Sequence, residues 1–220
     1  REALLEELSQ AQWVVEPSHM LPDAILIHSH KGQLQHAKWV REGLLTFMDE
    51  ASMAVAYAMN PKAHMHVLDT CAAPGGKTMH MATLMGNTGS IVATDIHDHK
   101  VELLQTNATR LGMTNVQATV GDATQLREDW KEQYDAVLVD APCSGLGILQ
   151  KKLDMRWRKE PSQLTELPIL QEKILDIASN YVKVGGHLLY STCTINTLEN
   201  EEVVQSFLAS HPNFVMEDVA

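Results

Sequence analysis

The chain has 220 residues, which fits one or two domains at roughly 100–200 residues each. A hydrophobic content of 45% excludes a disordered or collagen-like chain, and three cysteines exclude a disulfide framework and point to a reducing, cytoplasmic setting. The formal net charge of −11 is the opposite of the basic footprint usual for a nucleic-acid binder.

Residues 1–60 carry a helix at 2–8, a stretch bracketed by Pro17 and Pro22, an apolar run at 24–27 and a His- and Lys-rich link to Trp39. These are too few elements for a self-sufficient domain, so the segment reads as the remnant of a larger N-terminal module and its linker. Arg1-Glu2 opens no signal-peptide pattern, and no apolar run approaches the ~20 residues of a membrane span. From about residue 65 the pattern changes: short β-branched runs alternate with helical stretches. Residues 66–69 read as a strand, followed by a glycine-bearing loop and a helix from about Lys77. The next strand is 91–95. Residues 97–111 have helical spacing, with Val101, Leu104, Ala108 and Leu111 on one face and Gly112 closing the helix. Further strands are predicted at 116–120, 136–139 and 187–190. Residues 161–182 read as mostly helical, with Pro168 expected to break or kink them, and 199–208 as a helix. Such alternation predicts an α/β domain over 61–220: a mostly parallel twisted sheet with helices on both faces. Ligands of such sheets sit at the carboxyl ends of the strands.

The chemistry gathers on that edge. Directly after the first strand of this domain comes Asp69-Thr70-Cys71-Ala72-Ala73-Pro74-Gly75-Gly76-Lys77-Thr78. Its glycines allow close approach of a ligand to the backbone, and the following helix start offers free N–H donors. The run is neither G-x-G-x-x-G nor a P-loop, which removes the nicotinamide oxidoreductase reading. Asp95 ends the next strand, about 20 residues on, where an acid commonly accepts hydrogen bonds from a ribose diol. Asp122 follows the third strand, where an adenine amino group could be met, and Asp140 ends the fourth. The ordered set suits an adenosine-containing cofactor without a phosphate chain, since no basic clamp for phosphates is present. All three cysteines, Cys71, Cys143 and Cys193, fall in loops after predicted strands. Their spacing offers no paired zinc ligands, and the scattered H-x-H pairs lack partners, so no metal is expected.

These residues, quoted as DTCAAPGGKT, ATD, VGDA, VDAPCSGLG, KKLDMRW and YSTCT-x-N, resemble the RNA 5-methylcytosine methyltransferases of the Sun/RsmB and NSUN group. The resemblance covers roughly residues 13–216 and is strongest toward the bacterial 16S ribosomal RNA enzymes, whose domain entry "REGLFTIQDESSM" is similar to residues 41–53. It implies a Rossmann-like class I S-adenosylmethionine-dependent methyltransferase fold, acting as a monomer on RNA, without metal or membrane. It also implies an upstream ferredoxin-like RNA-binding module of which 1–60 is the remainder. S-adenosylmethionine would rest on Cys71, Ala72, Ala73, Pro74, Gly75, Gly76 and Lys77, with Asp95 at the ribose, Asp122 near adenine and Asp140 by the methionine end. Cys193 would be the nucleophile and Cys143 would assist product release. Asp140 would stabilise or protonate ring nitrogen 3, oriented by Lys77. In DNA cytosine methyltransferases the Pro-Cys residue attacks, so Cys143 stays open as the nucleophile.

Lys151, Lys152, Arg156 and Arg158 flank Trp157 just after the Cys143 loop, a phosphate-contacting and stacking combination suited to single-stranded RNA. The chain departs from the group's pattern at Met48 (Gln elsewhere), Leu146 (Thr), Lys151-Lys152 (an Arg pair) and Thr197-Leu198 (Pro-Glu, before Glu199-Asn200-Glu201). None is a proposed catalytic group. Two other readings stand beside the leading one: a noncatalytic RNA-binding or ribosome-assembly factor that keeps the fold, and a tRNA cytosine-5 methyltransferase.

Overall fold

The computed structural model describes residues 1–151, 157, 160 and 162–218. It opens with helix α1 (Glu2–Gln10) and an antiparallel hairpin of β1 (Val14–Pro17) and β2 (Ile25–Ser29). The apolar run at 24–27 is thus part of a strand, and it pairs because Val15 and its neighbours offer it an edge, with Val15 opposite Ile27. Leu8, Trp13 and Trp39 bury a small core under this hairpin, the two indoles packing edge-to-face at 5.4 Å. Two helices follow, α2 (Lys38–Arg41) and α3 (Glu50–Met59).

The main sheet comprises β3 (His66–Asp69), β4 (Ser90–Asp95), β5 (Val116–Val120), β6 (Tyr134–Asp140) and β7 (Val182–Ser191). Its order is β5-β4-β3-β6-β7, with every described pair parallel. Helices α4 (Gly76–Leu84), α5 (Asp98–Arg110), α6 (Gln163–Ser179) and α7 (Glu201–Ser210) cover both faces. Successive strand residues point to opposite faces. Accordingly Val67, Ala136 and Leu138 bury against α3, α4 and α5, while Leu68, Val137 and Val139 bury against α6 and α7. Each such side chain contributes about 1.5–3 kcal/mol when fully buried. The two cores therefore fix strand register and helix placement together. From β3 the order runs outward through β4 and β5 on one side and β6 and β7 on the other. The crevice at the carboxyl ends of β3 and β6 is the switch point where open α/β sheets bind ligands.

Three local expectations are corrected. Pro168 neither breaks nor ends α6, which runs through it. It lies in the second turn, where it removes one hydrogen bond near the helix start, and burial of Ile174, Leu175 and Ala178 against the sheet outweighs that loss. The helix ends at Ser179, and Val182 already pairs with Tyr134, so β7 starts earlier than 187 and carries a register shift before His187. At the C-terminal end, Thr197–Glu199 form a 3-10 turn and α7 begins only at Glu201. The Asn196 side chain caps that turn by accepting the Leu198 N–H at 3.3 Å.

Candidate active site

The loop from Thr70 to Gly75 is stitched to the neighbouring strand ends. Thr70 donates its hydroxyl to the Leu138 carbonyl at 3.1 Å, Thr94 donates its own to the Thr70 carbonyl at 2.9 Å, and the Ala72 N–H reaches the Thr94 carbonyl at 2.8 Å. Gly75 sits at φ +99°, a left-handed conformation costly for any residue with a Cβ, and this turns the chain into α4. Ala72 and Gly75 are buried, Cys71, Ala73 and Gly76 half-buried, and Pro74 exposed. The Met48 side chain lies over Gly76. Burial pushes the Cys71 thiol up to about 12, which leaves it protonated and unreactive.

The acids predicted at the strand ends all reach this edge. Asp95 is buried, accepting the His97 N–H at 3.0 Å with the Lys100 ammonium at 3.6 Å. Asp122 accepts the Thr124 N–H at 2.8 Å and its hydroxyl at 2.7 Å, and these bonds hold its carboxyl below the usual range. Asp69, which the sequence marks only as the start of the loop motif, is almost fully buried. It accepts the Thr78 hydroxyl on Oδ2 at 2.7 Å, while Oδ1 has no partner among the described residues. Burial pushes its carboxyl up to about 7, against the Thr78 bond that favours ionisation.

The other half of the edge holds the thiols. Lys77, in the first turn of α4, forms an ion pair with Asp140 at the end of β6, both partly buried. Ser191, at the end of β7, donates its hydroxyl to the same carboxylate at 2.8 Å. Beyond them the Cys143 and Cys193 sulfurs lie 3.1 Å apart, and the Cys193 N–H points at the Cys143 sulfur at 3.2 Å. Hydrogen bonding from Cys143 lowers the Cys193 thiol to about 6, against burial and the nearby Asp140 charge and with help from Lys77. The same bond, with burial, drives Cys143 upward. The contact between the two sulfurs thus separates them in acidity, Cys193 downward and Cys143 upward.

Glu199 carries no mark of a site residue in the sequence. Its carboxylate has no exposed surface and accepts from the Ser144 N–H at 2.7 Å, the Ser144 hydroxyl, Gln171 at 3.0 Å and Asn196 at 3.1 Å. An acid in a short helical turn carries no periodic signal of burial, so only the three-dimensional packing reveals it. Gly147 is silent in the sequence for a similar reason: a Cβ there would lie 2.9 Å from the Cys193 carbonyl oxygen. Of the basic run, Lys151 is exposed and pairs with Asp49, and Trp157 is exposed. Lys152, Arg156 and Arg158 lie outside the described residues. Among the described residues, no helix is long and apolar enough to cross a membrane.

Residues 56–220 match the family model described as 16S rRNA methyltransferase RsmB/F. The chain is 42% identical over 215 residues to a probable ribosomal RNA small subunit methyltransferase B of Bacillus subtilis, covering 97% of this chain and 48% of that protein. It thus spans about half the length of the curated relatives it matches. In three dimensions it is similar to the crystal structure of PH0851, with a TM-score of 0.92 and 35% identity over 96% of this chain and 48% of that one. It is also similar to NSun6 from Pyrococcus horikoshii, solved with SFG, with a TM-score of 0.75 and 31% identity over 85% of this chain and 48% of that one. The sheet order, the cofactor-type loop and these matches agree: the fold is the Rossmann-like fold of S-adenosylmethionine-dependent methyltransferases, and the chain belongs to the 16S rRNA methyltransferase RsmB/F family.

Proposed function

We propose that this chain methylates carbon 5 of a cytosine in small-subunit ribosomal RNA, using S-adenosylmethionine and a transient cysteine–cytosine adduct. The observation that carries the reading is the pair of sulfurs 3.1 Å apart beside the Lys77–Asp140 pair, with the Cys193 thiol lowered by its bond to Cys143. Carbon 5 of cytosine is a weak nucleophile. Addition of a thiolate to carbon 6 makes the ring an enamine and carbon 5 reactive. Cys193 supplies that thiolate. Negative charge growing toward ring nitrogen 3 is met by a proton that Asp140 delivers by sharing the proton of its Lys77 partner, and Lys77 also orients Asp140. Once Cys193 is bonded to carbon 6, its charge no longer opposes ionisation of Cys143. Cys143 then falls back toward the ordinary thiol range, gives its own proton to solvent and, as a thiolate, takes the carbon 5 proton, so that the carbon 6–sulfur bond breaks, Cys193 is released as a thiolate and product leaves.

The cofactor edge fits S-adenosylmethionine. Asp95, Asp122 and Asp140 stand along it against Lys77 and Lys100, a net negative balance that disfavours a phosphate chain and suits a cationic sulfonium. A solved relative holds SFG, an analogue of that cofactor. Cys71 to Lys77 would cradle it, with Asp95 at the ribose, Asp122 near adenine and Asp140 toward the methionine end. The cofactor supplies an electrophilic methyl group for carbon 5.

Residues 1–60 and the basic run at Lys151, Lys152, Arg156 and Arg158 are proposed to contact RNA, with Trp157 as a stacking surface. A target base in a helix would be extruded to reach the thiols. The test is methyl transfer from tritiated cofactor to unmethylated 16S rRNA, with cofactor binding measured in parallel, and trapping of RNA–protein adducts. Cys143→Ala should accumulate a covalent RNA complex and Cys193→Ala should form none; the reverse pattern assigns attack to Cys143 and overturns the assignment.

A further inference from the structure

We infer that Glu199 is a positioning residue that clamps the loop after β6 to the loop after β7 and so keeps the Cys143 and Cys193 thiols in hydrogen-bonding contact. This deepens the reading of the two thiols given above and rests on it. Ser144, the neighbour of Cys143, gives Glu199 both its N–H at 2.7 Å and its hydroxyl. The Ser144 oxygen also lies 2.8 Å from the hydroxyl of Thr194, the neighbour of Cys193. Asn196, further along the β7 loop, donates to Glu199 at 3.1 Å. From α6, Gln171 donates to Glu199 at 3.0 Å and to the Pro142 carbonyl at 2.9 Å. Tyr190, on β7, donates its hydroxyl to the Glu199 backbone carbonyl at 2.7 Å. Each cysteine is thus one residue from a side chain in the same network.

Among the described residues no Lys, Arg or His pairs with this carboxylate. A buried charge without a cation is expensive unless hydrogen bonds replace its solvation. For packing alone, an apolar side chain of the same size would serve. What only a carboxylate offers is acceptor capacity on both oxygens, enough to take donors from two loops and a helix at once. Glutamine would present N–H groups toward Ser144 or Gln171, which are donors already. With the clamp loosened, the loops stay tied by the Cys193 N–H to the Cys143 sulfur and by the Gly147 N–H to the Cys193 carbonyl, and the contact between the two sulfurs is the one that lengthens.

The test is the pH dependence of Cys193 alkylation by iodoacetamide, read by peptide mass spectrometry on the whole chain without RNA. The titratable groups facing the thiols (Asp140, Lys77 and Tyr190) are left unsubstituted in all variants. In Glu199→Gln the midpoint should rise by at least one pH unit, toward the ~8.5 of a free thiol. Ser144→Ala should raise it by less, and both should bind S-adenosylmethionine within about twofold of the wild type, as a control on folding. A Glu199→Gln midpoint equal to that of the wild type, with cofactor binding kept, overturns the inference. If that variant does not fold, an unmoved midpoint in Ser144→Ala overturns it instead. Because no RNA is present, the outcome is separate from the adduct experiment that decides which thiol attacks.

Discussion

Asp69 offers a thermodynamic test of the buried edge. Its carboxyl ionises at about 7 in the folded chain, against ~3.9 for a free aspartate. The folded protein therefore holds this proton more tightly than the unfolded chain. The resulting stabilisation is fully present below pH ~4 and is lost as the pH rises through about 7. Linkage puts its full size at about 4 kcal/mol, since each pH unit between the folded and unfolded ionisation midpoints contributes ~1.36 kcal/mol. Between pH ~5.5 and ~8 the loss amounts to about 2 kcal/mol. Other carboxylates here, such as Asp122 and Glu199, are shifted the opposite way, so the wild-type curve alone mixes opposing contributions. Asp69→Asn isolates the effect. The amide keeps an oxygen for the Thr78 hydroxyl and places a neutral group where the unpartnered Oδ1 now sits. Urea unfolding at pH ~5.5 and ~8, followed by circular dichroism, should show the variant gaining about 2 kcal/mol on the wild type as the pH rises. A difference that stays constant across that range would mean that Asp69 does not titrate within it, which refutes an ionisation midpoint of about 7.

Three further outcomes are expected. Asp95→Ala should weaken S-adenosylmethionine binding at least about tenfold by calorimetry, since a charge-assisted bond contributes about 1.5–3 kcal/mol; unchanged affinity would refute the ribose role. Gly147→Ala pushes a methyl group against the Cys193 carbonyl at 2.9 Å, where the Gly147 N–H also bonds at 3.1 Å. It should lower the yield of trapped RNA adduct while cofactor affinity is kept, at a stability cost of about 1–3 kcal/mol read as a fall in Tm. Reversing the charge at both Lys151 and Lys152 should weaken RNA binding and reduce the log–log salt slope by about 1.4 for a single strand. An unaltered slope would remove these lysines from the interface.

The strands at 66–69 and 116–120 are legible to the residue, because β-branched runs end in Asp or Gly between recognisable loops and helices. The thiol loops are legible for a related reason: parallel strands deliver their C-terminal loops to one edge, so Cys143 and Cys193 after successive strands must approach each other. Their contact at 3.1 Å is beyond that logic. Helix α3 is hard to see because Glu-Ala-Ser-Met-Ala-Val-Ala-Tyr-Ala-Met is apolar on most sides and shows little 3.6-residue contrast. Pro168 misleads because local propensity takes no account of the tertiary burial of the turns that follow it. Glu199 looks no different in sequence from its neighbours Glu201 and Glu202, which are exposed. Only the donors brought from α6 and two loops set it apart.

The net charge of −11 misleads in the same way, because the acids of the ligand edge are not free charges. Asp69 is bonded by Thr78, Asp95 by the His97 N–H, Asp122 by Thr124 and Asp140 by Lys77. Interactions between exposed charges fade within about 8–10 Å at physiological salt, so what an approaching ligand feels is local. Toward β4 and β5 it meets acids with Lys100 beside Asp95; toward β6 and β7 it meets Lys77 and, at the rim, Lys151. In the proposed reaction a sulfonium cation belongs to the first half and an RNA polyanion to the second. The switch between β3 and β6 lets one sheet edge hold both, and Lys77 and Asp140 stand at that boundary, one from each side. Asp140 could not serve both halves as an unpaired carboxylate, since it would repel the thiolate at Cys193 as well as the RNA. Pairing with Lys77 offsets that repulsion, which is why the loss of Lys77 should harm the thiol chemistry more than it harms cofactor binding.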